Sequence, residues 1–292
     1  MKVEGQEQEQ GRDGTQRPQH AGLNDLLILD RTAELDEDVL DPFALEELLC
    51  RSVGEGGPPL LHMWRHRRGF VMGLRDSRLP GARDAARWLE ADGYSVAVRN
   101  SGGAAVPLDE GVVNVSIILP KAAGQIDFHD DFELMYELIA LALQETGAGV
   151  DKGEIDGAYC PGDFDLSIGG RKFCGIAQRR QLHGYVVQAF VIAAGSGGEK
   201  AGLARQFYER AGAGAPVGAH PQVAAHSMAS LAELLGPERF AGADAFIDAV
   251  KRVVRERQSA AGLADAAARL RLPSEADVRE MVARLRARYG LG

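Results

Sequence analysis

The chain has 292 residues, of which 45% are apolar and 26% charged, proportions that fit an ordinary soluble globular protein with one large core or two small ones. Its formal charge of -9 argues against a nucleic-acid binder, because neutralising phosphates needs a net or clustered positive face. Three cysteines, Cys50, Cys160 and Cys174, with no close CxxC pair, argue against disulfide and zinc frameworks and fit a reducing compartment, so the cytoplasm is the expected location.

Residues 1–22 are rich in Gln, Glu and Gly and carry too little apolar surface to offset ordering entropy, which predicts a disordered tail. No signal-peptide pattern opens the chain, and no apolar run approaches the roughly 20 residues that span a bilayer, so neither export nor membrane insertion is expected. Folded structure is expected to begin near Leu26. From Asp41 to Cys50 the spacing of Phe43, Leu45, Leu48 and Leu49 is helical, and glycines and prolines end the helix by Pro59. Leu60–Trp64 and Gly69–Gly73 read as paired strands joined by the basic run Arg65-His66-Arg67-Arg68. Ala82–Asp92 is helical and Tyr94–Arg99 alternates like a strand. Val112–Leu119 is a further strand, and Phe132–Thr146 an amphipathic helix that should cover a sheet. Asp165–Ile168, Arg171–Ala177 and Tyr185–Ile192 predict an antiparallel meander. Beyond Gly197 the chain turns Ala-rich and helical, around 203–211, 228–235 and 243–257, followed by a looser stretch and a last helix at 274–289. Strands followed by packed helices indicate an α+β fold. The expected division is the tail (1–22), a catalytic domain (23–257) and a helical C-terminal extension (258–292).

Two segments carry the chemistry. In Gly157-Ala158-Tyr159-Cys160-Pro161-Gly162-Asp163-Phe164-Asp165, glycines and a proline hold the backbone in shapes a mere core cysteine would not need, which suggests a nucleophile displayed on a turn. Lys172 follows shortly after, and an ammonium confined beside a thiol favours thiolate. The second segment, Arg99-Asn100-Ser101-Gly102-Gly103, places two residues without side chains after a strand, where a ligand or an oxyanion can approach main-chain N–H groups. Cys174 lies two residues after Lys172, and in a regular strand the two side chains share a face, so either thiol is a candidate to feel the ammonium. Cys50, beside Leu48 and Leu49, is expected in the core. His62, His66 and His183 have no spacing that ties them to Cys160 and are given no role, and no His/Cys/Asp set has metal-ligand spacing.

The run Arg99-x-Ser101-Gly102-Gly103-x-Ala105-Val106, continued by Asp109-x-Gly111-x-x-Asn114-x-Ser116, resembles the biotin/lipoate protein ligase superfamily. With Tyr159-Cys160-Pro161-Gly162-x-Phe164-Asp165-Leu166-Ser167, then Lys172–Arg180, His62-Met63-Trp64 and Leu74–Pro80, the chain looks most like the branch that moves octanoyl between lipoyl-carrying proteins. This resemblance covers about Leu26 to Val254. It implies a ligase-like α+β domain, with a mixed, mostly antiparallel sheet flanked by helices. It also implies Cys160 as nucleophile, Lys172 as its assistant and proton donor to the departing amine, and Arg99, Ser101, Gly102, Gly103 and Asn114 as substrate-binding residues. The implied donor is octanoylated glycine cleavage H protein, and the implied acceptors are lipoyl domains of 2-oxoacid dehydrogenase E2 subunits, with no cofactor or metal. Octanoyl transfer from acyl carrier protein, ATP-dependent lipoate ligation and a non-catalytic lipoyl-domain binding module are the alternative readings.

Overall fold

The computed structural model describes residues 21–121 and 129–291. Its strands are β1 (Leu27–Arg31), β2 (Leu60–Trp64), β3 (Arg68–Met72), β4 (Ser95–Val98), β5 (Val106–Asp109), β6 (Val112–Pro120), β7 (Asp151–Lys152), β8 (Leu166–Ile168), β9 (Arg171–Arg180) and β10 (Gly184–Ile192). The helices are α1 (Asp41–Gly54), α2 (Ala82–Ala91), α3 (His129–Ala142), α4 (Gly197–Ala211), α5 (Leu231–Leu235), α6 (Ala243–Arg255), α7 (Ala260–Arg269) and α8 (Glu275–Tyr289). Of the expected tail, residues 1–20 lie outside the described residues, and Ala21–Leu23 form a 3-10 turn. The expected boundary at 257 falls between α6 and α7. Among the described residues no helix is long and apolar enough to cross a membrane.

Seven strands form one sheet in the order β1-β2-β6-β10-β9-β8-β7, antiparallel except for the parallel β1–β2 edge. Period-2 alternation gives its two faces different jobs. Val113, Val115 and Ile117 of β6, with Val187, Ala189 and Val191 of β10, pack against Leu134 and Leu138 of α3 and Phe246 and Val250 of α6. The opposite face carries Asn114, Ser116, Gln188 and Phe190, and turns toward α1 and a second sheet. That second sheet has the order β4-β3-β5, and its Phe70, Met72, Val106 and Leu108 are packed in one core with Ala85 and Leu89 of α2 and Ala204 and Phe207 of α4. The space between the two sheets is the cleft described below.

Three expectations are corrected here. The segments 60–64 and 69–73 are strands but not partners: β2 pairs with β1 and β6, whereas β3 pairs with β4 and β5. The basic run thus carries the chain from one sheet to the other. The stretch between α6 and α8, expected to be loose, contains α7, whose N-cap Ser259 accepts a hydrogen bond from the Gly262 N–H. Lys172 and Cys174 do not share a face. Leu166 pairs with Cys174 and Ser167 with Lys172, so one step along β8 spans two along β9. The extra residue, Phe173, makes a β-bulge that reverses the alternation.

Candidate active site

Cys160 is held in the left-handed region at φ 49, a conformation that costs a non-glycine residue about 1–2 kcal/mol and persists where surrounding bonds over-determine it. Lys172 supplies those bonds. It is fully buried, and its Nζ donates to the Tyr159 carbonyl at 2.9 Å and the Cys160 carbonyl at 2.6 Å, with Asp165 Oδ2 at 2.8 Å. Two of the three ammonium donors are spent on these carbonyls, and Asp165 pairs with its charge without hydrogen-bond geometry. Burial pushes the Asp165 carboxyl up to about 6 from its ordinary 3.8, against the opposing pull of Lys172.

The turn brings the Cys160 sulfur to the glycine segment. Sγ accepts from Arg99 Nη2 at 3.2 Å and from the Ala104 N–H at 3.2 Å, and both donors stabilise negative charge on the sulfur. The cation in contact with the thiol is therefore Arg99, whereas Lys172 reaches the main chain beneath it. Arg99 also donates to the Ala104 carbonyl at 2.8 Å, which ties the segment 99–104 into a loop. Gly103 has φ 91, and a Cβ there would stand 2.4 Å from Arg99 Nη2 and 2.8 Å from Cys160 Sγ. Only glycine lets this main chain pass so close to the sulfur. A Cβ on Gly102 would meet nothing within 4 Å, and both glycines form an exposed rim. Ser101 is buried, and its Oγ has no hydrogen-bond partner among the described residues.

From Cys160 a narrow cleft, partly open to solvent, runs between the two sheets. Phe43, Trp64, Val71, Val106, Leu108 and Phe190 make most of its wall, and Asn114, Ser116 and Gln188 of the large sheet interrupt it. An apolar slot with a few fixed polar groups suits a hydrocarbon chain with one reactive end. Cys160 is only 8% exposed, so the turn does not display its thiol to bulk solvent, as expected from the sequence, but presents it to this cleft.

The other thiols are elsewhere. Burial pushes Cys50 up to about 12 and Cys174 well above the ordinary thiol range; Cys174 packs with Leu166 and Phe173 in the core against α3. Among the described residues no group of three or more His, Cys, Asp or Glu side chains is placed to hold a metal ion. Two functional candidates escaped the sequence reading. Asp165 lies inside the cysteine motif, and its carboxylate seven residues before Lys172 is the sequence signal that points to it. Glu46, on α1, is 1% exposed and accepts from His62 Nδ1 at 2.9 Å and Trp64 Nε1 at 3.2 Å. His62 is thus a buried partner of a carboxylate, remote in sequence from Cys160.

The two sheets thus bring a cysteine turn against an Arg-x-Ser-Gly-Gly loop at the mouth of an apolar cleft. Residues 38–255 match the model of the Lipoyl protein ligase A/B catalytic domain. Over 203 residues, 69% of this chain and 73% of the relative, the sequence is 46% identical to the octanoyl-[GcvH]:protein N-octanoyltransferase of Anoxybacillus flavithermus. It is 44% identical to the protein of that name from Bacillus velezensis, over 72% of this chain and 77% of the relative. The fold is similar to that of lipoate-protein ligase A bound with ATP, with TM-score 0.61, 19% identity and coverage of 91% of this chain and 98% of that one. A bipartite lipoate protein ligase from Thermoplasma acidophilum gives TM-score 0.59, 17% identity and coverage of 91% and 96%. The chain belongs to the lipoyl protein ligase A/B catalytic domain family and, within it, to the octanoyl-[GcvH]:protein N-octanoyltransferases.

Proposed function

We propose that this protein moves an octanoyl group from the lysine of octanoylated glycine cleavage H protein (GcvH) to the lysine of an E2 lipoyl domain, through a thioester on Cys160. The observation that carries this reading is the Cys160 sulfur, turned by a positive φ into an apolar cleft and met by Arg99 and the Ala104 N–H. Relatives at 46% and 44% identity that bear the name of this reaction support it.

In the first half, Sγ attacks the carbonyl carbon of the octanoyl amide, forming an S–C bond as the carbonyl electron pair moves onto oxygen. We assign the oxyanion to main-chain N–H groups at the Gly102–Gly103 rim. Collapse breaks the C–N bond, and the leaving lysine amine takes up a proton equivalent to the one lost when the thiolate forms. In the second half the acceptor amine attacks the thioester, a C–N bond forms, the S–C bond breaks and the amine's proton is released. One lysine amide replaces another, so the exchange is close to isoenergetic and ATP is not required. Arg99 is assigned to hold the thiolate, and Ser101 and Asn114 to bind the acyl group. Lys172 is assigned to position the nucleophile, two of its donors being committed to the Tyr159 and Cys160 carbonyls and its charge being paired with Asp165. A free thiol nucleophile also suits the reducing cytoplasm.

The test is transfer without ATP from octanoyl-GcvH to an apo lipoyl domain. Transfer is expected with the wild-type chain and lost in Cys160→Ser. Transfer only from octanoyl acyl carrier protein would overturn the donor; transfer only from octanoate with ATP would overturn the thioester route.

A further inference from the structure

We propose that Asp76 and Tyr208 are positioning residues that hold the glycine loop against the Cys160 sulfur and so set the reactivity of the thiol. The inference takes its catalytic meaning from the thioester reading above, whereas its geometry stands apart from it.

Two consecutive peptide groups of the loop meet the thiol and its cation. The Gly103–Ala104 peptide directs its N–H at Cys160 Sγ, and the Ala104–Ala105 peptide gives its carbonyl to Arg99 Nη2. Such donors stabilise a thiolate only while they stay aimed at the sulfur. The outer side of the loop gives little to hold that aim, because Gly102 and Gly103 are exposed and the Gly102 N–H reaches the Gln178 carbonyl only at 3.5 Å.

The other ends of the same two peptides lead to one buried carboxylate. The Ala105 N–H donates to the Tyr208 hydroxyl oxygen at 3.0 Å, and that hydroxyl donates to Asp76 Oδ1 at 3.1 Å. Behind the Gly103 carbonyl stands Gly73, so close that a Cβ there would run into it, and the Gly73 N–H donates to Asp76 Oδ2 at 2.9 Å. Each oxygen of Asp76 therefore backs one of the two peptides. Asp76 follows β3 and Tyr208 lies on α4, 132 residues further along the chain, and they are 3% and 2% exposed. Neither side chain lines the cleft, so their influence on the reaction passes through the loop. Without the Tyr208 hydroxyl, the Ala105 N–H is left buried and unpartnered, which is costly. The loop recovers a partner for it only by moving, and that movement swings Ala104 N–H and Arg99 off the sulfur.

The experiment follows alkylation of Cys160 by iodoacetamide against pH, read by mass spectrometry with peptide mapping, in the wild-type chain, Tyr208→Phe and Phe207→Leu. Tyr208→Phe keeps the ring and every formal charge and removes only the hydroxyl. Its alkylation midpoint is expected to rise by about one pH unit, which leaves about tenfold less thiolate below the midpoint, and loading from octanoyl-GcvH is expected to slow about tenfold or more. Phe207→Leu trims the neighbouring ring, 5.2 Å from that of Tyr208, and spares both hydroxyl bonds; it is expected to lower the Tm and keep the wild-type midpoint. Asp76→Asn, whose amide cannot accept on both of its ends, is expected to raise the midpoint too, and carries the test if Tyr208→Phe does not fold. An unchanged midpoint in the folded variant, or an equal rise in Phe207→Leu, overturns the positioning role. A wild-type chain that takes up no octanoyl while the variant shows the raised midpoint overturns the thioester reading and leaves the hold on the sulfur supported.

Discussion

Lys172 and Asp165 are buried as a pair beneath Cys160, and such pairs contribute little net stability while being costly to break. Lys172→Met leaves Asp165 buried without its cation and frees the carbonyls that hold Cys160. We expect a loss of about 3–5 kcal/mol in urea unfolding, partly recovered in the Lys172→Met/Asp165→Leu double variant. Asp165 also gives stability a pH dependence. Its folded-state pKa of about 6 lies above the ordinary 3.8, so its contribution is fully present below 3.8 and is lost as pH rises through 6. Relative to Asp165→Asn, the wild-type chain should therefore be more stable near pH 4 than near pH 7, by up to about 3 kcal/mol; equal differences at the two pH values would contradict this. Among the thiols, Cys160→Ser should lower transfer by at least about a thousandfold, whereas Cys50→Ser and Cys174→Ser should still form the acyl-enzyme. The motif made Cys160, Lys172 and Arg99 visible in the sequence. That Arg99 rather than Lys172 meets the sulfur was not visible, because it depends on the positive φ at Cys160, and residue spacing does not encode that angle.

At the level of elements, the glycine loop separates reactivity from folding. Gly103→Ala drives a Cβ into Arg99 and Cys160 Sγ and forces a left-handed φ on alanine. Acyl-enzyme formation should fall by about a hundredfold or more, the loss that misplacing a reacting group by about 1 Å brings. Gly102→Ala meets open space and should leave the Tm unchanged; a Tm loss equal to that of Gly103→Ala would contradict the assignment of the close approach to Gly103 alone. Regular periodicity made α1, α2, β4, β6, α3 and the meander β8–β9–β10 legible. It failed where an element is short, as for β7, or where pairing is non-local, as for β2 and β3, because alternation reveals a strand but not its neighbour. It also failed at Phe173, where a one-residue bulge moved Cys174 to the opposite face from Lys172.

For the whole molecule, the helices after residue 257 bear on the site through α1. Met281, Val282 and Leu285 of α8 are buried in one core with Val39, Leu40, Phe43 and Ala44, and α1 in turn supplies Phe43 to the cleft and Glu46 to the network beneath it. Truncation after Arg257 uncovers those three side chains, which points to a loss on the order of 5 kcal/mol, read as a lower urea midpoint. An unchanged midpoint would make the C-terminal helices an independent appendage. The Ala-rich composition after Gly197 predicted helices there but not their docking surface, since small side chains mark a helix without marking its partner. The most direct test of the account is intact-protein mass spectrometry of the chain mixed with octanoyl-GcvH without ATP, followed by hydroxylamine treatment and peptide mapping. The account predicts one octanoyl adduct on Cys160, removed by hydroxylamine and discharged by an apo lipoyl domain. Octanoylation of the lipoyl domain with no adduct on Cys160, or with a hydroxylamine-stable adduct elsewhere, would contradict it.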